Sequence, residues 1–220
     1  MIRVIIYGLR DFASLAHFYL TEDSPHDVVA FTVSADHMPA DRVFEGKPVV
    51  PFEEIESLYP PDQFHLFAPL SPRNMNRFRE SVHRDGKQRG YRFISYVSSR
   101  ATVYSNTPIG ENCLILEDNT IQPFTRIGDD VILWSGNHIG HHSTICDHVT
   151  FTSHVVLSGH CVVGPYCFLG VNATIRDGIR LGEGTLAGMG SCIGRDTEPW
   201  SVYQGNPARK RDVASPDVEL

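Results

Sequence analysis

The 220-residue chain lacks the features that mark several large classes of protein. No apolar run approaches the ~18 residues of a membrane-spanning helix, and no signal-peptide pattern follows Met1. None of the five cysteines belongs to a Cys-x-x-Cys pair, which argues against a cysteine zinc site. Acidic residues outnumber basic ones by 26 to 19, a net charge of −7 that argues against a nucleic-acid-binding surface. We therefore expect a cytoplasmic protein whose cysteines are packing thiols.

What the sequence does contain is a repeat of six residues, which runs sixteen times from Val103 to Glu198 without an insertion. A large apolar residue opens every hexad but one, and a small or β-branched residue usually stands four places later. Because a period of six fits neither a helix nor a single strand, it predicts short stacked strands joined by turns, a β-solenoid. The opening residues are Val103, Ile109, Ile115, Ile121, Ile127, Leu133, Ile139, Ile145, Phe151, Leu157, Val163, Leu169, Ile175, Leu181, Ala187 and Ile193.

The residues before the repeat have a different pattern. Apolar stretches typical of strands alternate with segments of helical spacing, which predicts a small parallel α/β domain. The predicted strands are 3–7, 28–33, 64–68 and 91–94, and the predicted helices are 12–20, 53–58 and 74–89. We divide the chain into an α/β domain at 1–98, a solenoid at 99–211 and a loose tail at 212–220.

The hexads closely resemble the hexapeptide repeat of left-handed parallel β-helix acyltransferases, and 203–209 resembles the closing Gly-x-Pro-Ala of that family. An α/β domain before the solenoid resembles one subgroup, the bacterial acetyltransferases of sialic acid and nucleotide-linked amino sugars. The resemblance implies three hexads per coil, so that residues 18 apart stack at ~4.8 Å. It also implies acetyl-CoA as the acyl donor, a nucleotide-linked sugar for surface glycans as the acceptor, and a homotrimer with active sites between neighbouring solenoids.

In the resembled enzymes one histidine at a coil corner is the general base, and the segment 139–142 aligns with their catalytic stretch. His141 is therefore the expected base, because acetyl transfer requires the attacking amine or hydroxyl to lose a proton and imidazole exchanges protons near neutral pH. The family usually has a carboxylate directly after this histidine, where this chain has His142. Either an acidic residue reaches His141 from elsewhere, or the base is weaker.

The resemblance also suggests where the coenzyme lies. Gly159 follows His141 by 18 residues and should stack above it, where the family uses a backbone N–H to hold the thioester oxygen. Ser158 and Gly159 are thus expected at the acyl end of coenzyme A, although a plain tight corner explains them equally well. The other expected coenzyme contacts are Gly170, Asn172, Gly188, Gly190, Pro207 and Arg209.

The predicted nucleotide site lies at the carboxyl ends of the first strands, where parallel sheets bind ligands. The first loop of the subgroup is usually rich in glycine, whereas this chain has only Gly8, followed by Arg10 as a candidate phosphate partner. Asp36 is placed to accept a ribose hydroxyl. Ser71, Arg73 and Asn74 follow the third strand and are candidates to reach the same pocket, although a helix N-terminus without a ligand explains them equally well.

Six of the eleven histidines fall between residues 138 and 160. Four of them (142, 148, 154 and 160) take the fourth place of a hexad and are expected to be solvated corner residues, with His142 and His160 stacked. A zinc enzyme resembling the β-helix carbonic anhydrases is one alternative, weakened because no two of the six are separated by the 5 or 36 residues of those ligands. A non-catalytic sugar-nucleotide-binding scaffold is another.

Overall fold

The computed structural model describes all 220 residues. Its first part is an α/β domain with a five-stranded sheet, in which a two-stranded antiparallel hairpin joins the edge of an otherwise parallel sheet. The elements are β1 (Arg3–Tyr7), α1 (Asp11–Glu22), β2 (Asp27–Val33), β3 (Val43–Phe44), β4 (Lys47–Pro51), α2 (Ile55–Leu58), β5 (His65–Phe67) and α3 (Arg77–Gln88), with a 3₁₀ turn at Ala35–His37 and another at Phe52–Glu54. The order across the sheet is β3-β4-β2-β1-β5.

Three details of this domain differ from the sequence prediction. The hairpin of β3 and β4 was not predicted; its turn residues Glu45 and Gly46 have positive φ angles of 47° and 71°, as a tight hairpin requires. Residues 91–94 form an isolated bridge to β5 rather than a strand. Helix α3 begins at Arg77 instead of residue 74, because residues 74–76 form a left-handed turn with φ of 53°, 48° and 65°.

The second part is a three-sided parallel β-helix with a two-residue strand in every hexad except that of Ile109, which forms an isolated bridge to Ile127. Partners are 18 residues apart, as in the pairing of Ile127 with Ile145, so three hexads form one coil as predicted. The strands are β6 (Tyr96–Val97), β7 (Thr102–Val103), β8 (Leu114–Ile115), β9 (Thr120–Ile121), β10 (Arg126–Ile127), β11 (Ile132–Leu133), β12 (His138–Ile139), β13 (Thr144–Ile145), β14 (Thr150–Phe151), β15 (Val156–Leu157), β16 (Val162–Val163), β17 (Phe168–Leu169), β18 (Thr174–Ile175), β19 (Arg180–Leu181), β20 (Leu186–Ala187), β21 (Cys192–Ile193), β22 (Ser201–Gln204) and β23 (Arg209–Ala214).

The interior of the β-helix is filled by the two repeating positions that the sequence indicated. Opening residues such as Ile139 and Leu157 are fully buried, and so are small residues such as Cys161 and Ala173. All five cysteines are free thiols. The inward amides of Asn119 and Asn137 stack as predicted, with Asn137 Nδ2 donating to Asn119 Oδ1 at 3.0 Å. Inward polar groups are thus satisfied within the stack, as burial demands.

The fourth place of each hexad forms the corners of the prism. From residue 112 to residue 190 every residue at this place has a left-handed backbone, which glycine, asparagine, aspartate and histidine tolerate best. Successive coils align these residues into three columns. We name them the histidine corner (Phe124, His142, His160, Gly178), the docking corner (Asn112, Asp130, His148, Tyr166, Gly184) and the third corner (Asp118, Gly136, His154, Asn172, Gly190).

The α/β domain covers one of the three faces of the β-helix. This covered face contains β8, β11 and β14, whose outward residues Leu114, Ile132 and Thr150 are buried against the domain. The two other faces are open, with exposed outward residues such as Arg126 and Val156. The histidine corner is the edge at which the two open faces meet, opposite the α/β domain.

Buried polar contacts attach the α/β domain at the docking corner. Arg79 of α3 has no exposed surface; its Nε donates to Asp130 Oδ1 at 2.9 Å and its Nη2 donates to the carbonyl of Asp130 at 2.8 Å. The other Asp130 carboxylate oxygen lies 2.9 Å from His148 Nδ1. Asn112 Nδ2 donates to Asp130 and Asn112 Oδ1 accepts from the N–H of Ala68, both within 2.8 Å. Both oxygens of the buried Asp130 carboxylate are therefore hydrogen-bonded.

The two ends of the β-helix lie beyond the predicted boundaries. β6 already pairs with β8, so the coil begins at Tyr96, two residues before the end of the predicted α/β domain at 98. The segment 212–220 is not a loose tail: β23 continues to Ala214, and a 3₁₀ turn follows at Ser215–Asp217. Ser215 is fully buried and its Oγ donates to the carbonyl of Gly184 at 2.5 Å, which holds the segment to the last coil. No helix of the protein has both the length and the apolar character to cross a membrane.

Candidate active site

His141 lies at the open edge of the prism, one residue before the histidine corner. The turn that follows β12 orients it: its backbone N–H donates to Gln122 Oε1 at 2.9 Å, and its carbonyl accepts from the N–H of His160 at 2.9 Å. The imidazole is exposed, and its Nδ1 lies 3.1 Å from Nδ1 of His142. With one ring nitrogen engaged by His142, the other is free for an incoming group.

Aromatic rings surround His141 on the corner side. His142 and His160 stack with ring centroids 5.0 Å apart and planes 18° apart, as predicted for residues one coil apart. The ring of His141 stands nearly perpendicular to both, at 5.2 Å from His142 and 5.0 Å from His160. Phe124 extends the stack on the other side of His142, 4.6 Å away. The rotamer of His141 is thus restricted although the side chain is exposed.

The coil above His141 has a glycine where any other residue would collide. A Cβ atom on Gly159 would stand 2.8 Å from Cε1 of His141 and 3.1 Å from Oδ1 of Asp177. Gly159 therefore stacks above His141 as predicted, and its backbone N–H makes no hydrogen bond within the chain. Gly140 is needed for the same packing, since its Cβ would lie 2.5 Å from the backbone nitrogen of Gly159.

No carboxylate of the chain hydrogen-bonds to the imidazole of His141, whose side-chain partner is His142. Asp177 belongs to the coil above Gly159, two coils above that of His141, and its carboxylate reaches towards Gly159. Within one chain, His142 therefore takes the position that the resembled family usually gives to an acidic residue.

The residues predicted to contact coenzyme A fall into two groups. Ser158 and Gly159 lie beside the histidine corner, whereas Gly170, Asn172, Gly188 and Gly190 lie at or near the third corner, at the opposite edge of the open face that contains β12, β15 and β18. Pro207 and Arg209 are exposed at the turn between β22 and β23. One chain thus does not bring these two groups together.

The residues predicted to contact a nucleotide lie at the carboxyl edge of the parallel sheet. Gly8 ends β1 with φ of 120°, and a Cβ there would lie 3.3 Å from Leu70, the residue before Ser71. Arg10 is exposed at the start of α1, and Asp36 is exposed in the turn after β2. Arg73 and Asn74 are exposed after β5. These residues border one edge, but no contact joins Arg10, Asp36 and Arg73.

The sequence did not indicate Gln122 or Glu53, and it indicated His160 only as the residue stacked with His142. Gln122 anchors the backbone of His141 across 19 residues, and His160 contacts the ring of His141 as well as that of His142. Glu53 accepts a hydrogen bond from the N–H of Ala35 at 3.0 Å beside the predicted nucleotide edge. Burial and this carboxylate raise the pKa of Tyr7. The 18-residue spacing was the available signal for His160; Glu53 depends on tertiary packing.

Comparison with known proteins supports this architecture. Residues 124–159 match the family model "Bacterial transferase hexapeptide (six repeats)". No curated protein sequence gives a significant match. The acetyltransferase domain of PglB from Neisseria gonorrhoeae FA1090 superposes with a TM-score of 0.84 at 20% identity, over 95% of this chain and 99% of that one.

Two further structures are similar over nearly the whole chain. Perosamine N-acetyltransferase from Caulobacter crescentus, in a histidine-to-asparagine mutant with CoA and GDP-perosamine, has a TM-score of 0.81 at 22% identity, over 96% of this chain and 97% of that one. WeeI from Acinetobacter baumannii AYE has a TM-score of 0.80 at 19% identity, over 96% of this chain and 100% of that one. The chain therefore has the fold of the hexapeptide-repeat sugar acetyltransferases, an α/β domain followed by a left-handed parallel β-helix.

Proposed function

We propose that this protein transfers an acetyl group from acetyl-CoA to an amino or hydroxyl group of a nucleotide-linked sugar, with His141 as the general base. The observation that carries the proposal is the position of His141, which is exposed at the open edge, restricted by neighbouring rings and stacked below Gly159, whose N–H makes no hydrogen bond within the chain. A base and an oxyanion donor one coil apart are the two groups that acyl transfer from a thioester requires.

The chemistry follows from these groups. The acceptor nitrogen or oxygen attacks the thioester carbonyl while the free ring nitrogen of His141 takes its proton. The carbonyl oxygen becomes negatively charged in the tetrahedral intermediate and is held by the N–H of Gly159. When the intermediate collapses, the C–S bond breaks and the thiolate of coenzyme A leaves, protonated by His141. His142 orients the base through the contact between the two Nδ1 atoms.

The similar structures support the identity of donor and acceptor class. The PglB domain was determined with acetyl coenzyme A, and the perosamine enzyme was determined with CoA and GDP-perosamine. We infer the same donor and a nucleotide-linked amino sugar here, consistent with Ser158 and Gly159 at the acyl end. The α/β domain supplies the nucleotide site at the edge formed by Gly8, Arg10 and Asp36.

We infer a homotrimer, and the placement of these parts supports a site shared between subunits. The α/β domain covers the face opposite the histidine corner, so the acceptor that it holds lies away from His141 of the same chain. The predicted coenzyme residues also divide between two corners of one prism. Packing open faces against each other would bring the histidine corner of one subunit to the third corner or α/β domain of its neighbour. An active monomer in light scattering would contradict this assembly.

The decisive experiment is calorimetric titration with coenzyme A after dialysis against a chelator, followed by a transfer assay with nucleotide amino sugars. We expect one coenzyme per chain and a product heavier by one acetyl group. His141→Asn should lose about 10²- to 10⁴-fold in turnover while binding coenzyme A with unchanged affinity, since general bases contribute factors of this size. Equal loss of turnover and affinity would make His141 structural, and no binding at millimolar coenzyme would favour a non-catalytic scaffold.

A further inference from the structure

The three histidines at the open edge present nitrogen atoms to a common point. Candidate ligand atoms of His141, His142 and His160 all lie within 4.8 Å of one another, and all three side chains are exposed. In the proposed transfer His141 is the base and His142 orients it, whereas His160 only packs against the ring of His141. The convergence of three imidazoles therefore goes beyond what the transfer needs.

The distances suit a single transition-metal ion. With Zn–N bonds of about 2.0–2.1 Å, two ligands of a tetrahedral zinc ion are about 3.3 Å apart. The Nδ1 atoms of His141 and His142 are already 3.1 Å apart. His160 must approach by up to about 1.5 Å to complete such a site. A change of side-chain rotamer in an exposed histidine covers this distance without moving the backbone.

The donor set determines the class of ion. Three neutral imidazoles favour Zn²⁺ and its transition-metal neighbours, while Mg²⁺ and Ca²⁺ prefer oxygen ligands. The residue after the base is also the one at which this chain departs from the carboxylate of the resembled enzymes. A histidine at position 142 supplies a nitrogen donor in its place, beside a second one from the coil above.

We propose that His141, His142 and His160 bind one Zn²⁺ ion per chain, and that the bound ion blocks the base. An imidazole that ligates a metal through one nitrogen carries its proton on the other, so metal-bound His141 has no lone pair left for the acceptor's proton. Zn²⁺ should therefore inhibit acetyl transfer. Inhibition depends on the proposed function, whereas metal binding does not.

The binding experiment uses the full chain after dialysis against a chelator. Co²⁺ titration followed by visible absorption reports tetrahedral coordination, and Zn²⁺ calorimetry gives the affinity and stoichiometry. We expect one ion per chain. His160→Asn should weaken Zn²⁺ by more than the roughly 10- to 100-fold that loss of an outer-shell partner costs. Asparagine tolerates the left-handed φ of 56° at this position, so the corner itself is preserved.

His154→Asn is the matched control, because His154 is an exposed histidine with a left-handed φ of 60° at the third corner, outside the cluster. It should bind Zn²⁺ as the wild type does. Unchanged Zn²⁺ affinity in His160→Asn, or no binding at micromolar Zn²⁺, would overturn the proposal whatever the transfer assay gives. If the protein binds Zn²⁺ but acetyl transfer continues at the same rate, the ion does not block the base. Failure of the protein to bind coenzyme A would contradict the proposed function and would leave the metal-binding proposal to the Zn²⁺ titrations.

Discussion

His148 and His142 take the same place in neighbouring hexads and have nearly the same backbone, with φ of 60° and 57°. Their surroundings differ because the α/β domain covers one corner and not the other. His148 lies 2.9 Å from the buried carboxylate of Asp130, which Arg79 also binds. The side chain of His142 is exposed and contacts the rings of Phe124, His160 and His141. The repeat gives both corners the same backbone conformation. Because the α/β domain covers only the docking corner, His148 contributes to the stability of the fold and His142 remains accessible.

The histidine–carboxylate pair at the docking corner is a poor guide to catalysis in this protein. The pair of His148 and Asp130 has the geometry of a base and its orienting acid, and such acids are normally buried, as Asp130 is. The side chain of His148 itself is only 15% exposed, at the corner that the α/β domain covers, so access to this base is restricted. His141 has no such partner within the chain and yet is the accessible one. In this fold, the exposure of a histidine at the open edge indicates a function better than the presence of a carboxylate partner does.

The largest effect is expected from removal of the charge partner at the docking corner. Arg79→Ala leaves the carboxylate of Asp130 buried without its guanidinium, which should lower the free energy of unfolding by about 3–5 kcal/mol. Urea unfolding measures this loss. Arg84→Ala on the same helix is the control, since its side chain is 56% exposed and surface ion pairs contribute less than about 1 kcal/mol. Equal losses in the two variants would show that the buried network does not hold the domain.

The same substitution at the two corners should have opposite consequences. His148→Asn removes a partner of a buried carboxylate and should cost about 1–3 kcal/mol of stability. His142→Asn keeps the left-handed corner and should leave stability within about 0.5 kcal/mol, because the residue is exposed. Under the proposed function, it should instead reduce transfer. Thermal unfolding of both variants, with a transfer assay, separates the two roles; a stability loss only in His142→Asn would reverse our assignment.

A smaller, more local change tests the stacking of coils at the open edge. Gly159→Ala places a methyl group 2.8 Å from Cε1 of His141, so the imidazole must move. We expect turnover to fall at least about tenfold, equivalent to about 1.4 kcal/mol in activation free energy, with little change in melting temperature. Gly194→Ala, where a Cβ meets no atom within 4 Å, should behave as the wild type. Full activity in Gly159→Ala would separate His141 from the chemistry.

The smallest effect concerns a contact between α1 and the first coil. Asp23 accepts hydrogen bonds from the N–H of Ser99 at 2.9 Å and the hydroxyl of Tyr96 at 2.7 Å. The side chain of Ser99, its backbone N–H and the hydroxyl of Tyr96, in that order, lower the pKa of the Asp23 carboxyl to about 2 from the usual 3.8. The unfolded chain thus binds more protons between about pH 2 and 4, so wild-type stability falls as the pH falls through that window. Asp23→Asn should cost about 1 kcal/mol at neutral pH.

Urea unfolding at several pH values between 7 and 3 provides the test for Asp23. The difference between wild type and Asp23→Asn should be constant above about pH 4 and should shrink below it. Asp62→Asn, which changes an exposed carboxylate of the same domain, is the control. A difference that stays constant down to pH 3 would show that the hydrogen bonds of Asp23 do not depend on its charge.

The sequence by itself determined the β-helix almost completely. An uninterrupted six-residue period predicts which residues face inward and which form corners, because each strand is short and pairs with the strands 18 residues before and after it. The stacking of His142 on His160, the amide pair of Asn119 and Asn137, and the place of Gly159 above His141 all follow from that arithmetic. Local regularity of this kind needs no tertiary information.

Only the tertiary structure decided which corners of the β-helix are open. The left-handed turn before α3 forms because Met75 is buried against Leu186 and Val202, and because Asn76 donates to the carbonyl of Tyr166. These partners all lie 90 or more residues away along the chain, beyond any local pattern. These contacts place Arg79 against Asp130, so that the α/β domain covers one face of the β-helix and leaves the edge with His141 exposed. The repeat specifies three equivalent sides, and long-range packing makes them different.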